Sequence, residues 1–116
     1  LILCYHKVDP RLELGVTRLS PRRFARQVER LARDGWRALS LAELLATVRG
    51  TRQAGGREFA VTFDDGYRAL RDHAFPVLAA HGFAATCSLI TDHVGRLNRW
   101  DVAYGGRRFA HLAWRD

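Results

Sequence analysis

The sequence predicts an α/β fold built on parallel strands, and three observations carry that expectation. Short apolar runs at 1–6, 36–39, 58–63 and 84–90 have the length and composition of strands. The segments between them place apolar residues at helical spacing and carry their own start and stop signals. Strands that alternate with helices imply parallel pairing, because each helix returns the chain to the end of the sheet where the last strand began. The order is β-α-β-α-β-α-β within one domain, 1–116.

The run LILCYH at 1–6 is nearly all apolar, as in a strand buried on both faces. Residues 7–19 form a loop punctuated by Asp9-Pro10 and Gly15. Ser20-Pro21 starts a helix, with a hydroxyl at the cap and proline at the first helical position. Phe24, Val28 and Leu31 form its buried stripe, and Gly35 closes it as a left-handed cap. After the short strand at 36–39, Ser40 and Glu43 have the spacing of a capping box. Leu41, Leu44, Leu45 and Val48 give this second helix an apolar face. Residues 50–57 are a turn-rich break before the strand at 58–63. A helix from about Tyr67 buries Leu70, Ala74, Val77 and Leu78, and Pro76 should kink or split it. Gly82 ends that helix before the strand at 84–90. From Thr91 onward the pattern becomes loop, with NRWD at 98–101 and Gly105-Gly106.

Composition narrows the function classes. An apolar fraction of 47% fits a globular chain and argues against disorder. The formal charge of +7 raises the question of nucleic acid. Of the nineteen basic residues all but Lys7 are arginine, spread along the whole chain and often beside acids, so no nucleic-acid groove is expected. No apolar run reaches the about 18 residues of a membrane span. The chain begins Leu-Ile-Leu and holds no methionine, so its natural N-terminus and any export signal are expected upstream. Cys4 and Cys87 each lie in an apolar run and read as buried free thiols, with a disulfide left open.

Chemistry concentrates in VTFDDGY, residues 61–67. Asp64 and Asp65 stand at the C-terminal end of a strand, where parallel α/β folds gather their catalytic groups. Adjacent carboxylates raise each other's pKa unless a cation neutralises them. A divalent ion does so, one carboxylate ligating it while the other stays ionised as a base. Gly66 would let the backbone turn so that both face one pocket. The same residues also suit a plain turn and a helix cap, so spacing alone leaves both readings open.

VTFDDGY resembles the first motif of the polysaccharide deacetylases of the carbohydrate esterase family 4 type. ILCYHKV resembles that family's first strand, SPRRFARQVERLARDGWRALSL the helix and strand that follow, and HGFAATCSLITDHVGRLNRWD the segment after the motif. The resemblance implies the N-terminal half of a distorted (β/α) barrel, incomplete in this chain. It implies a metal-dependent hydrolase that removes N-acetyl groups from an N-acetylglucosamine-containing polysaccharide and releases acetate. It assigns Asp64 as general base and Asp65 as ligand to a divalent metal, zinc or another. The partner it implies is an N-acetylated glycan, met at the cell envelope, in the periplasm or outside the cell.

The family draws two further ligands from a His-(Ser/Thr)-x-x-His motif and its acid from a late histidine, and none of these occurs in the 116 residues. HLAWRD resembles the approach to that motif. An inactive, carbohydrate-binding fragment is therefore the alternative, and an unpaired barrel edge should make the chain marginally stable or self-associating. His6, at the end of the first strand, and Trp100, in the loop after the last, are candidates for lining the substrate pocket. His73, His81, His93 and His111 are expected to be exposed or to pack against helices. Phosphoryl transfer lacks support, since there is no P-loop and no Asp-x-Asp.

Overall fold

A computed structural model describes residues 1–13, 16–100 and 108–116. Gly15, Asp101 and Gly105-Gly106 lie outside the described residues.

The main sheet holds four parallel strands: β1 (Ile2–Tyr5), β4 (Arg37–Ala38), β5 (Glu58–Phe63) and β6 (Thr86–Cys87). β5 is central. It pairs β1 along 60–63 on one side, and both β4 at 58–59 and β6 at 62–63. The strands form an open half-barrel, as the sequence implied. The expected strand at 84–90 is shorter than its apolar run, because only Thr86–Cys87 finds ladder partners.

Helix α1 (Pro21–Arg33) begins and ends where the sequence placed it. Ser20 is extended at its start but makes no side-chain capping bond, and Gly35 takes φ 73° at its close. Helix α2 (Leu41–Val48) carries the full capping box between Ser40 and Glu43. Its apolar face is not buried, a correction: Leu41, Leu45 and Val48 are exposed. Proline does split the third helix, into α3 (Ala69–His73) and α4 (Phe75–Ala80), with Pro76 at a position whose missing N–H costs nothing.

The core lies between the sheet and the helices. Phe24, Phe59, Phe63, Leu70, Ala74 and Leu78 are buried there. Tyr5, Phe24 and Phe63 pack ring against ring with centroids 5.2–5.9 Å apart. The first strand is not buried on both faces as expected. Leu3 and Tyr5 pack on the helix side, while Ile2 and Cys4 face outward on the concave side of the half-barrel and are exposed.

The loop at 7–19 has more structure than its composition suggested. β2 (Lys7–Val8) and β3 (Arg18–Leu19) form a two-residue parallel ladder. Lys7, Val8 and Asp9 are buried. The Lys7 ammonium pairs with Glu13 at 2.5 Å and sits over the rings of Tyr67 and Phe109 at 4.8 and 4.5 Å. Asp9 is held by Arg11 at 2.6 Å.

Candidate active site

Period-two alternation places the site. Parallel register sets Cys4 beside Thr62 and Thr62 beside Thr86, and sets Tyr5 beside Phe63 and Cys87. The Tyr5 row turns to the helices, so the Cys4 row turns to the concave face. His6 and Asp64 follow at the strand ends with the same parity. The Asp64 amide donates to the Tyr5 carbonyl at 2.9 Å, which locks the two strand ends together. On the concave face the Cys4 thiol donates to Asp64 Oδ2 at 3.2 Å, and His6 Nε2 lies 3.9 Å from the same oxygen. Cys4 is therefore an exposed thiol, not the buried hydrophobe expected from its apolar run. Cys87 faces the opposite side of the sheet, and both thiols are free, so the disulfide left open by the sequence is not formed. Burial pushes the Cys87 thiol pKa up, with the Asp64 charge adding to it.

The turn after Asp64 is more constrained than glycine alone would require. Asp65 itself takes φ 67° and Gly66 takes φ 62°, two left-handed residues in succession. Such a backbone is unusual for a side-chain-bearing residue and costs of order 1–3 kcal/mol unless its surroundings fix it. They do. His111 Nδ1 donates to the Asp65 carbonyl at 2.6 Å. The Leu112 amide donates to the Gly66 carbonyl, and the Arg68 amide to the Ala110 carbonyl, each at 2.8 Å. The segment 110–112 thus clamps the aspartate turn from outside the sheet.

His111 is the residue of the candidate site that sequence reasoning missed. It is buried, stacked on Tyr67 at 4.9 Å, and belongs to a ring cluster with His93 and Trp100. The expectation of an exposed or helix-packed histidine is corrected by this contact, for which HLAW holds no local signal. Trp100 is 39% exposed, donates from its indole to the Tyr67 hydroxyl at 3.1 Å, and meets His93 edge-on. It packs against His111, the residue that bonds the Asp65 carbonyl, whereas His6 approaches the Asp64 carboxylate. A groove of about 880 Å³ runs along the β1 edge and α1 with Leu1, Ile2 and Arg26 in its lining; the aspartates do not line it.

The chemistry of the donors can be tested against a metal. Three protein donors around an ion are the usual minimum. Among the described residues Asp65 belongs to no group of three. The donors that do gather are Cys4, His6 and Asp64, with ligand atoms all within 4.8 Å of one another. Asp65 can therefore supply one oxygen donor, and the described residues do not complete a centre around it.

Comparison with known proteins bears on this arrangement. A family model described as polysaccharide deacetylase matches residues 51–104. The solved structure of IcaB from Ammonifex degensii superposes with a TM-score of 0.82 at 31% identity, over 99% of this chain and 45% of that one. The chain resembles the polysaccharide deacetylases, in sequence over residues 51–104 and in fold over almost its whole length. A polysaccharide deacetylase from Bacillus cereus matches 80% of the chain and 30% of its own length, at 30% identity and a TM-score of 0.64. A de-N-acetylase from Aggregatibacter actinomycetemcomitans shares the fold, with a TM-score of 0.75 over 98% of this chain and 47% of that one, at 17% identity. No match is found among curated protein sequences.

The chain spans less than half the length of those relatives. Its open half-barrel is the counterpart of the corresponding part of theirs. The matched segment 51–104 contains β5, the Asp64-Asp65-Gly66 turn and Trp100; Cys4, His6 and His111 lie outside it. No helix among the described residues is long and apolar enough to cross a membrane.

Proposed function

We propose that the polypeptide containing this chain removes N-acetyl groups from an N-acetylglucosamine-containing polysaccharide, cleaving the amide and releasing acetate. The observation that carries the reading is the turn itself: one carboxylate at the C-terminal end of the central strand, the next on a left-handed backbone held by a buried histidine. In that reading Asp64 is the general base and accepts a proton from the attacking water at its carboxylate. Asp65 supplies one oxygen to a divalent ion, zinc among the candidates. When bound, that ion would polarise the amide carbonyl and lower the pKa of a water molecule. His6 and Trp100 are the residues proposed to line the sugar pocket. Trp100 offers a partly exposed ring face of the kind that packs on a sugar.

In this reading the partner is an N-acetylated glycan, met at the cell envelope, in the periplasm or outside the cell. A second reading, a glycan-binding chain without turnover, is favoured by one observation: the described residues bring no further donors to Asp65. Acetate release from N-acetylglucosamine oligomers by the full-length polypeptide separates the two. The first reading expects release that a chelator abolishes, that Asp64→Asn abolishes while bound metal is retained, and that Asp65→Asn loses together with the metal. Unchanged turnover in Asp64→Asn would remove Asp64 from the role of base. Glycan binding with no acetate under any metal would leave the second reading.

A further inference from the structure

We propose that Cys4, His6 and Asp64 form a separate site for a thiophilic divalent ion, zinc or cadmium, distinct from the one Asp65 would serve. The three donors are a thiol, an imidazole and a carboxylate, the set that such borderline-soft ions take. A tetrahedral ion with donors at about 2.0–2.3 Å holds them about 3.5 Å apart. Here Cys4 Sγ and His6 Nε2 stand 3.2 and 3.9 Å from Asp64 Oδ2, on either side of that value. The backbone is already in place, since β1 and β5 are paired up to the Tyr5–Phe63 register and the Asp64 amide bonds the Tyr5 carbonyl. Only side-chain rotations are needed. The site is also reachable: Cys4 is exposed, and a depression of about 190 Å³ opens beside Cys4 and His6.

Binding forms a thiolate–metal bond and sends the Cys4 proton to solvent. Three protein donors leave a fourth position for water. The ion also takes the carboxylate of Asp64. Resting on the reading of Asp64 as general base, occupancy is inhibitory: the base is engaged as a ligand and turnover stops.

The test is titration of the 116-residue chain with cadmium ion, read by ultraviolet thiolate-to-metal charge transfer. One equivalent is expected, with the band lost in Cys4→Ser, kept in Cys87→Ser and Asp65→Asn, and weakened about tenfold or more in affinity in His6→Gln. A wild-type chain with no band overturns the site. So does a band that survives Cys4→Ser or disappears in Cys87→Ser. A measurement free of variants accompanies it: cadmium should slow alkylation of Cys4, followed by mass spectrometry, and leave Cys87 unaffected. Equal rates at Cys4 with and without the ion overturn the proposal. In the full-length polypeptide, excess cadmium should lower acetate release in wild type and not in Cys4→Ser, each against its own uninhibited rate. Cadmium held by Cys4 without loss of turnover would keep the site and refute Asp64 as base.

Discussion

Replacing Gly66 by alanine probes the backbone on which the aspartate pair depends. Gly66 sits at φ 62°, and a Cβ there would collide with Leu89 Cδ2 while standing 3.6 Å from the Leu89 Cα and the Ser88 carbonyl. The collision is with the far end of a side chain that is 39% exposed, so Leu89 can turn away at small cost. The left-handed backbone cannot be relieved in that way. An L-residue in this region costs about 1–2 kcal/mol. Gly66→Ala should therefore destabilise the chain by about 1–2 kcal/mol, read as a fall in the urea midpoint at unchanged slope. The converse change is the control. Asp65 already bears a side chain at φ 67°, so Asp65→Gly relieves that strain while adding about 0.5–1 kcal/mol of unfolded-state entropy. Its net effect should be close to zero. If Asp65→Gly destabilised as much as Gly66→Ala, backbone strain would not be what sets stability at this turn.

Glu13→Gln should cost about 1–3 kcal/mol, because it weakens a charge-assisted hydrogen bond to the buried Lys7 ammonium; an unchanged urea midpoint would show the pair to be solvated. Stability should also fall in acid through Glu58 and Glu43. Arg52, then the Gly55 amide and Arg37, hold Glu58 down to about 2, and Arg37 followed by Ser40 holds Glu43 down to about 2. Both folded values lie below the unfolded 4.5, so this contribution is present above about 4.5 and is lost as pH falls towards about 2. Urea midpoints of wild type and Glu58→Gln should converge across that window, and parallel curves would refute the assignment. Among the described residues β1 pairs only with β5, and Leu1 and Ile2 are exposed along its other edge. Sedimentation should show concentration-dependent association that Ile2→Glu reduces, whereas a monomer at all concentrations would contradict it.

Periodicity and punctuation made most of the frame legible. The capping box at Ser40, the left-handed close at Gly35 and the split at Pro76 are local interactions, written within a few residues and realised where they were written. The strand-end position of Asp64 followed from the apolar run before it and from the alternation of strands with helices. What local pattern could not convey was which apolar faces are covered. Cys4 and the α2 leucines look like core residues by composition, yet their faces open to solvent, because burial depends on what packs opposite and not on the residue itself. The same holds for the polar interior. Lys7 lies under Tyr67 and Phe109, and His111 reaches Asp65 across 46 positions of sequence. By itself, then, the sequence determined the α/β order, the aspartate turn and the family resemblance, since these rest on neighbours in the chain. Tertiary structure alone decided that Cys4, His6 and Asp64 meet on one face and that a distant histidine holds the turn, since those contacts exist only once the strands are in register.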